Sequence, residues 1–220
     1  MSLTSVKNSR RAHEHVLPIL RRFCDIPAAE WRYAAGLLEL RRLAAGATLT
    51  RAGEVAHHFG FVVSGLIRKL HVSERGKPVV RDFGGPGAIV GAYVSLLTRE
   101  RSYLTVEALA PSELFVLEWQ KLELLYARHP CWQTLGRRIA ERFVVEREQR
   151  AHELLTLTAA ERYTAFCAAH QAVLPQLRAY DIASYLGITP VAFSRLKARE
   201  LSARARMRNV NGGSARLSSG

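Results

Sequence analysis

The feature that most constrains this chain is a change of text near Pro130. From Leu43 to Leu117 it reads as short apolar runs punctuated by glycine, whereas beyond Pro130 glycine nearly vanishes and the apolar spacing becomes helical. FGFVVSGLIRKLHV is rich in Val, Ile and Phe, turns at ERGKP, resumes at VVRDF, breaks at GGPG and returns at YLTVEAL and ELFVLE. Runs of roughly four to eight residues, with turn residues about every eight to twelve, predict short antiparallel strands closed into a small barrel or sandwich. In CWQTLGRRIAERFVVEREQRAHELL, Leu135, Ile139 and Phe143 recur four apart, and Val144, Ala151, Leu154 and Leu155 continue a looser stripe. That spacing predicts a helix of about 25 residues, roughly 37 Å long. Such a helix exceeds what one small core needs, so pairing with a second copy of itself is expected. Packing on its own domain is the alternative, because Glu146, Arg147 and Gln149 interrupt the stripe.

After Thr158, AAERYTAFCAAHQAVL predicts a helix ending near Pro175, and the following DIASYLGITPVAFSRL predicts two shorter ones broken at Gly187. Two helices joined by a tight turn need a small residue where they touch, a glycine able to take positive φ, and apolar anchors on the second helix. Ala183, Gly187, Phe193 and Leu196 stand at those places. Thr189 before Pro190 is a helix start, a hydroxyl cap followed by a proline at the first helical position. The outward face of that second helix then carries Val191, Ala192, Ser194, Arg195 and Lys197 or Ala198. In a helix-turn-helix this face enters the major groove of DNA. Arg195 is the side chain there able to make a bidentate contact to guanine, Ser194 and Thr189 suit phosphate oxygens, and Lys197, Arg199 and Arg204 suit the backbone.

Charge enters the argument through its placement. The formal net charge of the 220 residues is +13. Residues 1–24 carry +4, 25–130 +2, 131–194 +1 and 195–220 +6. The C-terminal excess begins on the candidate recognition helix and suits a polyanion; the N-terminal excess reads as a solvated tail.

Here the text resembles the Crp/Fnr-type bacterial transcription regulators. The resemblance runs from about Leu43 to Arg199 and rests on LTRAGEVAHHFGFVVSGLIRKL, GGPGAIVGAYVSLL, YLTVEALAPSELFVLEW, ERYTAFCAAH and above all DIASYLGITPVAFSRLK. It implies an α+β protein with an N-terminal antiparallel β-roll of the cyclic-nucleotide-binding kind, a long dimerisation helix and a C-terminal helix-turn-helix, winged-helix-like domain. The corresponding segments are a basic stretch (1–24), the roll (25–130), the dimerisation helix (131–157), the DNA-binding domain (158–204) and a basic tail or residual wing (205–220). Double-stranded DNA and a second copy of the chain are the implied partners, with a small-molecule effector and RNA polymerase as further ones; no motif defines a polymerase-contacting surface.

In family members that bind cyclic AMP, a Gly-Glu pair holds the ribose and an Arg-Ser pair the cyclic phosphate. Here Gly91 is followed by Ala92, while Arg101 and Ser102 match the second pair by order and spacing. Losing a carboxylate that accepts a charge-assisted bond forfeits about 1.5–3 kcal/mol, so cyclic AMP is disfavoured, leaving another effector or none. Gly91, Ala92, Arg101 and Ser102 remain the candidate effector residues.

Cys24, Cys131 and Cys167 lie too far apart for a cluster motif, and adjacent histidines such as His57 and His58 point apart on a strand, so neither metal nor cofactor is implied. GGPGAIVG lacks the last glycine of a dinucleotide fingerprint and no hydrolase motif occurs, so no enzyme is expected. The N-terminus lacks an apolar signal region and the run from Phe83 to Thr98 is too short and broken to span a bilayer, which leads to the expectation of a cytoplasmic protein with no membrane partner. The competing readings are an effector- or protein-binding module with a degenerate DNA-binding domain, and a cyclic-nucleotide-responsive regulator.

Overall fold

The β-branched and aromatic residues of the glycine-punctuated stretch alternate in and out of two sheets. The computed structural model describes residues 3–72, 78–200 and 202, and the chain divides into two compact units, residues 1–151 and 152–220. Among the described residues of the first unit, β1 (Glu39–Leu43), β8 (Ser112–Glu118), β3 (His58–Ser64) and β6 (Ile89–Val90) form one four-stranded antiparallel sheet in that order. The other runs β2 (Thr48–Thr50), β7 (Leu104–Ala108), β4 (Ile67–Val72) and β5 (Pro78–Gly84). The turn expected at ERGKP falls on residues 73–77, outside the described ones, but β4 and β5 pair antiparallel from Ile67 opposite Gly84 to Val72 opposite Pro78.

Register decides which residues meet. Phe59 lies opposite Leu117 and Phe61 opposite Phe115, so these four share one face of the first sheet. Gly60 and Val62, opposite Val116 and Leu114, take the other face, where Val62 joins Ile67, Val106 and Ala108 in the buried core. Gly65 closes the turn into β4 at φ +89°, where a Cβ would meet Ser112 Oγ at 2.2 Å, and glycine is the residue that tolerates both.

The helices of this unit are α1 (Leu3–His15), α2 (Leu17–Arg21), α3 (Ala28–Ala35), α4 (Tyr93–Thr98), α5 (Trp119–Arg128) and α6 (Pro130–Thr156), the last running on into the second unit. The N-terminal stretch differs from the solvated tail expected of it. Ala12, Val16, Leu17, Ile19 and Leu20 are buried in the core, Arg11 pairs with Glu113 at 2.5 Å, and Arg22 donates to the Gly87 carbonyl at 2.7 Å. Its basic residues hold it to the roll.

The long helix expected from Cys131 spans the 27 residues of α6. Its stripe divides: Trp132 and Leu135 are buried within the first unit, with Ile139 packed against the same core, whereas Val144, Val145 and Leu155 stay exposed, Leu155 at 85%. No helix of the described residues is long and apolar enough to cross a membrane.

The second unit holds α7 (Ala159–Ala169), a 3-10 turn at Leu174–Gln176, α8 (Ala179–Leu186) and a helix over residues 190–200. A capping box starts α7: Thr158 Oγ1 accepts from the Glu161 N–H at 3.3 Å, and the Glu161 carboxylate accepts from the Thr158 N–H at 2.8 Å. Phe166, Ile182, Ala183, Leu186 and Phe193 form its buried apolar centre. The tail over 205–220, with the weak hairpin around Gly212 and Gly213, and Arg204 lie outside the described residues.

Candidate functional site

The turn between α8 and the next helix is built by three local signals. Gly187 ends α8 in the left-handed region at φ +71°, ψ +30°, its N–H bonding back to Ser184 and that of Ile188 to Ala183. This is the glycine-terminated stop that satisfies the last helical carbonyls. The Arg162 guanidinium, from α7, donates to the Leu186 carbonyl at 3.2 Å and to that of Leu157 at 2.5 Å, pinning the turn. Thr189 Oγ1 accepts from the Ala192 N–H at 3.2 Å and caps the helix that begins at Pro190.

That helix has two unlike faces. Phe193 is buried and meets the Tyr163 ring edge-on at 5.3 Å, and Leu196 is half-buried. Thr189, Val191, Ala192, Ser194, Arg195, Lys197 and Arg199 are all exposed, so the structure brings the seven candidate DNA-contacting residues onto one short segment. Among the described residues none of Arg195, Lys197 and Arg199 has an acidic partner. On α6, by contrast, Arg137 and Arg142 are paired with Glu141 and Glu146 one turn on. Unpaired cations on an exposed helix face leave a positive field for an anion.

The effector candidates of the first unit are less gathered. Gly91 packs against β3, where a Cβ would stand 3.0 Å from that of Phe59. Ala92 is buried at the start of α4 and offers no side-chain cap. Ser102 is buried too; its hydroxyl donates to the Leu104 carbonyl at 2.8 Å and accepts from the Leu104 N–H at 3.0 Å, so both capacities are used locally. Arg101 is exposed and donates to the Gly53 carbonyl at 2.9 Å. Backbone bonds from Gly53 to Ser102 and from Ser102 to Glu54 stitch this segment to the loop after β2.

Sequence reasoning missed a polar group on β4 and β5. Lys69 pairs with Asp82 at 2.6 Å, and the His71 ring stacks on Tyr103 with centroids 5.3 Å apart. Burial, and then the charges of Arg81 and Arg147, hold the His71 imidazole below its usual range. Burial first and Arg147 second likewise disfavour the charged form of Arg81. The available signal was the two-residue spacing of Lys69 and His71, which puts both on one side of a strand. Among the described residues no three His, Cys, Asp or Glu side chains gather as a metal site.

Residues 40–129 match the model of the cyclic nucleotide-binding domain. None of the curated proteins compared matches the chain in sequence. Among solved structures, FixK2 from Bradyrhizobium japonicum is similar at 20% identity and a TM-score of 0.66, over 76% of this chain and 85% of its own. The c-di-GMP responsive global regulator CLP of Xanthomonas campestris is similar at 16% identity and 0.63, over 81% and 93%. The catabolite activator protein of Thermus thermophilus gives 21% and 0.53, over 85% and 88%. At these identities the likeness is one of fold.

Proposed function

We propose, on the premise that residues 40–129 fold as a cyclic nucleotide-binding domain, that this chain is a homodimeric, sequence-specific DNA-binding transcription regulator of the Crp/Fnr type. The observation that carries the reading is the helix over 190–200, anchored by buried Phe193 and exposing Arg195, Lys197 and Arg199 without acidic partners among the described residues. Two such helices related by a two-fold axis read half-sites about one helical turn apart, hence a pseudo-palindromic site. The exposed Val144, Val145 and Leu155 of α6 favour pairing of that helix with its copy. Arg195 reads a base, Ser194 and Thr189 contact phosphate, and Lys197 and Arg199 attract the backbone.

The test is a fluorescence-anisotropy titration with DNA selected by the full chain. Arg195→Ala is expected to lower the specific-to-nonspecific affinity ratio by about 1–3 kcal/mol, roughly 5- to 150-fold. An unchanged ratio removes Arg195 from base readout. Absence of any salt-dependent DNA binding at low ionic strength favours the rival reading of a sensor module.

The effector is not cyclic AMP in this reading, because buried Ala92 supplies no acceptor where a ribose hydroxyl needs one. A second reading, a nucleotide-responsive regulator, is favoured by the domain match and by the cations Arg81 and Arg147 beside His71, which suit an anionic ligand. Calorimetry with cyclic AMP and cyclic GMP separates the two; saturation at micromolar ligand establishes the second.

A further inference from the structure

The outer face of the β1-β8-β3-β6 sheet is incompletely filled by the helices that cover it. Phe59, Phe61 and Leu117 project from that face and, with side chains of α3, α5 and α6, line a partly open cavity of about 60 Å³. Its aromatic walls lie on the side of the sheet away from the roll interior, and Val90, which pairs with Gly60, also reaches it. A Cβ on Gly60, the residue between the two phenylalanines, would lie 3.0 Å from Leu114 Cδ2 and 3.5 Å from Val116 Cγ1, on the opposite side of the sheet.

The walls are apolar to an unusual degree. All three tryptophans of the chain, Trp31, Trp119 and Trp132, line the cavity, and among the described residues no charged side chain does. The indole N–H groups of Trp119 and Trp132 are committed elsewhere, to Glu123 at 2.9 Å and Glu30 at 3.0 Å. Among the described residues, the polar atoms of lining side chains without another partner are the indole N–H of Trp31 and the hydroxyls of Tyr93 and Tyr126, the two tyrosines being half-buried. Tyr126 reaches across α6 because position 136 is glycine; a Cβ there would sit 2.3 Å from its hydroxyl oxygen. Burial pushes the Tyr126 phenol up to about 12, so it stays a neutral donor.

Water settles in a cavity where it finds two to four polar partners; here the few polar atoms are set in an apolar wall, so the rest of the space favours apolar atoms. At about 10–15 Å³ for each water-sized group, the space holds roughly four to six non-hydrogen atoms. Charged molecules are disfavoured by desolvation, and the Tyr93 and Tyr126 hydroxyls, which keep accessible surface, can donate to a ligand that brings an acceptor. We propose that this cavity is a binding site for a small neutral molecule, apolar except for one hydrogen-bond acceptor, of the size and kind of a short or cyclic ketone. The site does not depend on the DNA-binding reading.

The experiment uses the full chain labelled with 5-fluorotryptophan, whose three 19F resonances all report on the cavity, titrated with cyclopentanone and with cyclopentane. Saturable shifts of at least two resonances are expected with both ligands. Tyr126→Phe is expected to weaken cyclopentanone about 3- to 10-fold, as for one neutral hydrogen bond, and to leave cyclopentane unchanged. Ala34→Leu puts three more carbons into the space and is expected to abolish both titrations. Ala34→Val, a smaller filling change, serves if the leucine variant loses its 19F dispersion, and is expected to weaken both ligands at least about 3-fold. Shifts that stay linear to the solubility limit, saturable shifts indifferent to the Ala34 variants, or a cyclopentanone affinity indifferent to Tyr126→Phe would overturn the proposal.

Discussion

Phe193 is the residue on which the second unit and its exposed cationic helix both depend, and Phe193→Ala isolates that dependence. The side chain is 1% exposed and its ring meets Tyr163 edge-on. Removing a fully buried phenylalanine costs about 3–5 kcal/mol, the cavity included. The second unit spans residues 152–220, and a body of about 70 residues has a total stability of roughly 4–10 kcal/mol. The variant therefore loses about a third of that or more. The protein carries its own control, because all three tryptophans lie in residues 1–151. Tryptophan fluorescence in urea thus follows the first unit, while far-UV circular dichroism follows helices of both. With a urea slope of about 1 kcal/mol/M for so small a body, part of the dichroism change is expected about 3 M or more earlier than in the parent, with the tryptophan curve unmoved. Specific DNA binding is expected to be lost. Phe193→Leu, nearer in volume, is expected to cost about 1–1.5 kcal/mol and to keep DNA binding. A dichroism midpoint within about 0.5 M of the parent would refute the burial argument, and a tryptophan curve that moved in step would refute the independence of the two units.

Three further outcomes are expected. The Glu30 carboxylate accepts from Trp132 Nε1 and from Arg128 Nε, each at 3.0 Å, and chiefly the Trp132 bond holds its pKa below the ordinary 4.5. A carboxyl depressed in the folded state stabilises above its unfolded pKa and loses that contribution as pH falls through the folded value. Glu30→Gln is thus expected to flatten the decline of the tryptophan-monitored urea midpoint below about pH 4.5; an unaltered pH profile would count against the assignment. Gly65→Ala combines φ +89° with a Cβ 2.2 Å from Ser112 Oγ and 2.6 Å from the Pro111 carbonyl, and is expected to cost the roll at least about 2 kcal/mol by the same assay. Lys197→Gln and Arg199→Gln are each expected to reduce the slope of log affinity against log salt by about 0.9 and to leave sequence discrimination as it was.

The parts of the fold that could be read from the chain are those whose causes are local. Val- and Phe-rich runs between glycines are strands because the residues that fit a pleated, half-buried surface are close in sequence to the residues that turn it. Gly187, Thr189 and Pro190 mark the stop and start of two helices within three positions, and the bonds that use them span no more than five residues. The same signal was present at Thr158 and Glu161, where a capping box opens α7.

The N-terminal stretch was misread for the converse reason. Its apolar stripe of Ala12, Val16 and Leu20 is narrow and its arginines suggest a tail, but Arg11 finds Glu113 and Arg22 finds the Gly87 carbonyl across most of the first unit. Nothing within the stretch announces either partner. The effector residues fared alike: Ala92 could be seen as the loss of a carboxylate, whereas the local use of both capacities of the Ser102 hydroxyl, and the gathering of Lys69, Asp82, His71 and Arg81, depend on strand register.

The sequence by itself thus determined the strand-rich first part, the long helix, and a capped turn leading to a helix with a cationic outer face, because periodicity and capping are interactions among neighbours. Tertiary structure alone decided that the basic N-terminus packs on the roll. It also decided that Trp31, Trp119 and Trp132 converge on one cavity and that Gly136 leaves room there for Tyr126. Burial and close approach between residues about a hundred positions apart are properties of packing in three dimensions, and no local pattern encodes them.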